Sequence, residues 1–150
     1  MKKLLLSISI FLLMITGCAF KEEAFDITKV QSLAEEKEYQ FLDVTNDFSE
    51  QDSILSVYLV ATTLWQIEFY EFTSEEEAHD MFLSNQASFQ QDAESTSSEI
   101  EKNTLNSHMY SLTTSDTFYY LKQVDHTVVY SKVGVEHRGK VLRFLKNIGY

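Results

Sequence analysis

Apolar residues recur along the chain with two periods. From Asp26 to Glu38, Ile27, Val30, Leu33 and Ala34, with the stem of Lys37, fall on one face at helical spacing. Thr28 and Gln31 have capping-box spacing, so the start can also be placed at Thr28. Tyr39 to Val44 is compatible with extended chain, and Thr45 to Asp52 reads as a polar loop. Ile54 to Ala61 and Leu64 to Phe72 predict an antiparallel hairpin turning at Thr62-Thr63. Leu55, Val57 and Leu59 share one face of it, as do Trp65, Ile67 and Phe69, while Gln66 and Glu68 point away, as in a sheet wetted on one side. Ser74 and Glu77 form a capping box at the head of the clearest helix, with Glu75, Glu76 and Glu77 at the positive end of its dipole. Ala78, Met81, Phe82 and Phe89 make its buried stripe, and it frays near Gln90.

Asp92 to Asn103 is rich in Ser and Glu and reads as a loop. Three strands follow: Leu105 to Leu112, Thr117 to Gln123, and Thr127 to Val133. Thr113 to Asp116 turns the first pair, and Asp125-His126 suits a tight turn between the second. A last helix runs from about Val135 to Asn147 with Val141, Leu142, Leu145 and Ile148 inward, and Gly149 can end it in the left-handed conformation. The order αββαβββα predicts one α+β domain over 26–150, an antiparallel sheet of about five strands with helices mainly on one face.

The first residues follow a different pattern. Lys2 and Lys3 precede an unbroken apolar and small-residue run from Leu4 to Ile15. The run is shorter than the ~20 residues of a membrane span, but suits the apolar region of a signal peptide. It ends in Ile15-Thr16-Gly17-Cys18: an aliphatic residue, two small ones and a cysteine. This resembles the bacterial lipobox, with Ile15 where leucine is commonest. The resemblance covers the first eighteen residues. It implies a signal peptide over 1–17, alkylation of the Cys18 thiol with diacylglycerol, cleavage after Gly17, and a new amino terminus open to acylation. Residues 18–25 would then be a lipidated cysteine and a short tether, and the cell membrane, on its extracytoplasmic side, would be the location. Two acyl chains hold a protein stably where one holds it marginally. The domain pattern resembles other small bacterial lipoproteins of unassigned function.

Composition changes the picture in two ways. Cys18 is the single cysteine, so stability after it must come from packing rather than disulfides. Aromatic residues supply much of that packing: ten of the eleven Phe follow Cys18. Charge is the second. Loss of Lys2 and Lys3 takes the formal charge from −11 to −13, which argues against nucleic acid, whose phosphates need Lys and Arg. Lys122 to the end carries +4 and residues 18–121 carry −17.

Catalytic signatures are absent: there is no G-x-S-x-G, no glycine-rich phosphate loop and no H-E-x-x-H. None of the four His has a second His at ligand spacing. Glu75, Glu76 and His79 share a helix face, but zinc normally takes three or four ligands and an exposed charged face explains them better than a zinc site does, so no metal and no cofactor is expected. Asp43, Thr45 and Asp47 start like a calcium loop, but Phe48 and Ile54 stand where an EF-hand needs Gly and Glu. The feature that suggests recognition is a tyrosine set. Tyr58, Tyr70, Tyr110, Tyr120 and Tyr130 can share a sheet face with His108, Lys122 and Lys132, offering apolar bodies and polar tips to a protein, peptide or glycan. Cross-strand packing is the competing explanation. The reading is a membrane-anchored, non-enzymatic binding domain; the alternative is a small envelope hydrolase using paired carboxylates.

The anchor is testable alone. Metabolic labelling with a fatty acid such as palmitate should mark the wild type and leave Cys18→Ala unlabelled and uncleaved, because no other thiol exists. Labelling of the variant would remove Cys18 as the anchor.

Overall fold

The computed structural model describes residues 21–93, 95, 96 and 98–150. The signal peptide expected over 1–17, Cys18 and the start of the tether lie outside these residues. Among the described residues the elements run α1 (Ile27–Glu36), β1 (Gln40–Asp43), β2 (Ile54–Ala61), β3 (Gln66–Phe72), α2 (Glu75–Asp92), β4 (Ser98–Asn103), β5 (Ser107–Thr113), β6 (Thr117–Val124), β7 (Thr127–Gly134) and α3 (Arg138–Ile148). Short 3-10 turns occupy Thr45–Phe48 and Val135–His137. The strands form one antiparallel sheet in the order β1-β2-β3-β7-β6-β5-β4. The α+β class with an antiparallel sheet therefore holds, but the sheet has seven strands rather than about five.

The two extra strands are its edges. β1 has four residues, and every residue of β4 is exposed. β4 carries Glu99, Glu101 and Lys102, charges that discourage further pairing at an edge. An exposed polar strand has no apolar alternation, which is why its sequence reads as a loop.

The helices do not lie mainly on one face. α1 and α3 cover one, where Val60, Ile67, Phe69, Phe118, Val129 and Leu145 form a core. α2 covers the other, over Val57, Phe72, Leu112, Leu121 and Val128. The cause lies in β3, β6 and β7. Phe69 and Tyr70 are adjacent and both buried, as are Phe118 and Tyr119, and Val128 and Val129. A strand apolar on both faces must be covered on both. Gln66 and Glu68, which suggested a wet face, occupy only the start of β3, where Gln66 is exposed and Glu68 half-buried.

Local signals explain the element ends. Asp26 caps α1 by accepting from the Thr28 amide at 2.9 Å, so the cap is Asp26 rather than Thr28. Ser74 Oγ accepts from the Glu77 amide at 3.2 Å, as its spacing predicts. Asp125 takes φ 49° in the β6–β7 turn, and Gly149 closes α3 at φ 85°. A register shift between Ile54 and Ser56 turns Leu55 out to solvent.

The segment expected to be tether is part of the folded body from Lys21 onward. The Glu22 amide donates to Asn106 Oδ1 at 3.0 Å, and Asn106 Nδ2 donates back to the Glu22 carbonyl at 2.9 Å. Ser107 Oγ donates to Glu22 Oε1 at 2.7 Å, and Lys122 forms an ion pair with Glu22 Oε2. Lys122 Nζ also lies 4.5 Å from the centre of the Tyr150 ring, and Phe25 meets Phe69 edge-on at 5.2 Å. These contacts strap the amino-terminal segment across the β5–β6 end of the sheet.

The strap is acid-sensitive. Burial by itself raises the Glu22 pKa, but the hydrogen bonds from Lys122 and Ser107 and the Lys122 charge outweigh it and hold the carboxyl below its ordinary 4.5. Its contribution is therefore present above pH 4.5 and is lost as pH falls through the folded-state value. Glu22→Gln should cost roughly 1.5–3 kcal/mol near neutrality, the size of a charged hydrogen bond. In thermal melts between pH 7 and pH 3, the gap between wild type and variant should close on the acid side.

Candidate functional site

Strand register divides the eight residues expected on one open face. Tyr58, Tyr120 and Lys122 project toward α1 and α3, whereas Tyr70, His108, Tyr110, Tyr130 and Lys132 project toward α2. Tyr58 stacks on Phe41 with centroids 5.7 Å apart. Tyr120 is buried, which raises the pKa of its phenol. Tyr70 is 7% exposed and its hydroxyl bonds Glu68; burial first, then Glu68, push its pKa up. Tyr110 is fully buried and donates to Glu99 Oε1 at 2.7 Å, its pKa pushed up to about 12 by burial and then by that bond. Tyr130 packs against Phe89 at 5.3 Å, and Lys132 pairs with Asp92 at 2.8 Å above the Tyr119 ring. No single open tyrosine face exists. The tyrosines are built into two cores, and the hydroxyls of Tyr70 and Tyr110 find carboxylate partners in Glu68 and Glu99.

On the α2 side a groove of about 440 Å³ lies between α2 and the chain that leads into β2. Its apolar part consists of Phe48, Ile54, Tyr70, Phe72 and Met81. Phe48 meets Tyr70 edge-on at 5.8 Å, and Tyr70 stacks on Phe72 at 6.2 Å. Local chemistry sets these positions. The 3-10 turn Thr45–Phe48 is held by Asp43 Oδ1, which accepts from the Thr45 amide at 3.0 Å, and it presents Phe48 to the sheet. The Asp43, Thr45, Asp47 loop thus serves to place an aromatic side chain. α2 supplies the opposite wall and a polar rim: Glu77 and Asp80 are exposed, and Asn85 is fixed by its bond to the Met81 carbonyl at 2.9 Å.

Among the described residues no three His, Cys, Asp or Glu are placed to share a metal ion, so Glu75, Glu76 and His79 do not make a zinc site by themselves. His79 instead turns toward the sheet, where Nδ1 lies 2.9 Å from Gln123 Oε1 and its ring centre lies 4.7 Å from that of His108. Burial first, then the neighbouring His79, hold the His108 imidazole below its ordinary 6.5. His126 sits in the β6–β7 turn, its Nε2 3.4 Å from Glu71.

Sequence reasoning missed the groove because Phe48 lies in a segment with no periodicity. It missed the His79–His108 approach because the two residues belong to different elements. Comparison with protein-family models, curated proteins and solved structures finds no match to this chain.

The burial of the tyrosines has a direct consequence. Tyr110→Ala should cost roughly 3–5 kcal/mol in denaturant unfolding, the range for removing a buried aromatic ring. Tyr110→Phe, which keeps the ring, should cost about 1 kcal/mol. Near-equal small losses for both would mean that Tyr110 is not a core residue.

Proposed function

We propose that the chain is a bacterial lipoprotein, anchored through Cys18 on the extracytoplasmic side of the cell membrane, whose folded part is a non-enzymatic binding domain. The anchor rests on the Ile15-Thr16-Gly17-Cys18 motif. Among the described residues no helix is long and apolar enough to cross a membrane.

The binding reading rests on one observation. The groove beside α2 joins an aromatic and aliphatic surface from Phe48, Tyr70, Phe72 and Met81 to two exposed carboxylates, Glu77 and Asp80. That combination suits a short peptide segment of a partner bearing an apolar side chain next to a Lys or Arg. The apolar residue would be desolvated against the rings, and the cation would meet the acidic rim. The net charge of −13 left after loss of Lys2 and Lys3 would draw such a segment in at long range. Glu77 and Asp80 are also the carboxylates a hydrolase would use here. Both stand on the open face of α2, which favours charge recognition over acid–base chemistry.

A photoreactive phenylalanine analogue at Ser84, on the groove rim, should form an adduct in cells. The same group at Ser32, on α1, should not. Adding Glu77→Lys with Asp80→Lys should abolish the adduct while leaving the melting temperature within a few degrees. An adduct indifferent to both charge reversals would sink the groove as the binding site.

A further inference from the structure

The strongest unused feature is the histidine pair at the seam between α2 and the sheet. His108 on β5 lies between two cross-strand neighbours, Gln123 on β6 and Asn103 on β4. His79 comes from α2, and its ring centre is 4.7 Å from that of His108 with the planes inclined by 48°.

The protonation pattern of both rings follows from their amide partners. Gln123 Nε2 donates to the carbonyls of Asp125 at 3.0 Å and Glu75 at 3.3 Å. Its Oε1 must then accept, so His79 carries its proton on Nδ1. Asn103 Nδ2 donates to Glu101 Oε1 at 3.1 Å, and Asn103 Oδ1 lies 3.1 Å from His108 Nδ1, so His108 is protonated there too. Both Nε2 atoms are left as lone pairs. Neither has a hydrogen-bond partner among the described residues, and neither belongs to the buried polar atoms that lack one, so both reach solvent.

The two amides flank the pair on opposite sides, one on β6 and one on β4. With each Nδ1 engaged by its amide, the Nε2 of each ring is the nitrogen left to bind an ion. Two imidazoles that bind one ion through Nε2 at ~2.0–2.1 Å set their ring centres roughly 4.5–5.2 Å apart. The observed 4.7 Å falls in that interval. An outer set of groups is also present. Glu101 fixes Asn103, two carbonyls fix Gln123, and each amide fixes one imidazole, the arrangement that orients metal-binding histidines.

We propose that His79 and His108 form an open two-imidazole site for a divalent late transition ion, with copper(II) bound most tightly. The preference follows from nitrogen ligation, for which copper(II) heads the affinity order. No third His, Cys, Asp or Glu among the described residues completes the site, so its remaining positions go to water or to a donor from outside the chain.

The full-length chain in detergent, titrated with copper(II) sulfate alone, should take up one ion per chain more tightly than it takes up nickel(II) or zinc(II). Electron paramagnetic resonance should show hyperfine coupling from two imidazole nitrogens. His79→Gln and His108→Gln should each weaken binding at least tenfold, and Asn103→Ala should weaken it while preserving the spectrum. If a glutamine variant fails to fold, the His126→Gln, His137→Gln double variant keeps His79 and His108 as the only imidazoles, and it must retain the two-nitrogen spectrum. Loss of that spectrum, or undiminished uptake by a folded His79→Gln, His108→Gln variant, would show that the rings only pack against each other.

Discussion

Phe69 and Tyr70 are neighbours in the chain and belong to different cores, and the architecture depends on that division. The same is true of Phe118 with Tyr119 and of Val128 with Val129. β3, β7 and β6 are consecutive in the sheet. Together they form a central band whose apolar area would be exposed on whichever face was left uncovered. At ~25 cal/mol per Å², leaving one face wet would forfeit the burial of several large rings, each worth on the order of 2 kcal/mol. α1 and α3 meet this demand on one side and α2 on the other. The edge strands β1 and β4 lie outside the band, which is why they can be short or fully polar.

The same constraint determines how far the sequence can be read. Helical segments announce themselves through caps and stripes: Ser74 with Glu77, the Ala78–Phe82–Phe89 stripe and Gly149 all occupy the roles their residue types predict. The paired strands from β5 to β7 are legible for the same reason, with Asp125 in the left-handed conformation that a tight turn asks for. Facing is harder. Gln66 and Glu68 have the alternation of a half-wet sheet, but they lie at the start of β3, and two residues cannot report what covers the rest. β4 was invisible because its partner, not its own pattern, makes it a strand. The candidate sites were least legible. The tyrosines are good strand residues and serve as such, and no spacing along the chain relates Phe48 to Met81 or His79 to His108.

α2 is therefore more than a lid on the second face. Its inward stripe of Ala78, Phe82 and Phe89 holds it to the sheet. The residues beside those anchors are left at its two seams. On one seam Glu77, Asp80 and Met81 meet the aromatic groove; on the other His79 meets Gln123 and His108. A helix with a narrow stripe leaves both flanks half-exposed, next to buried rings and still in reach of water. Such borders favour recognition, since polar groups there are oriented by packing without being sealed off.

The strap at Glu22 sets how the molecule could stand on a surface. In the proposed lipid-anchored form, only Ala19 and Phe20 separate the lipid-bearing Cys18 from Lys21, which lies 3.4 Å from Asp125. Three peptide steps span at most ~11 Å. A leash that short leaves little freedom to roll: the end of the sheet that holds Asn106, Asp125 and the exposed Leu105 would have to face the bilayer, like the foot of a post. Both seams of α2 would then stand at nearly constant height and bearing. Searching for a membrane-bound partner becomes a two-dimensional problem, in which a partner site at the right height sees a high effective concentration and one at the wrong height sees almost none.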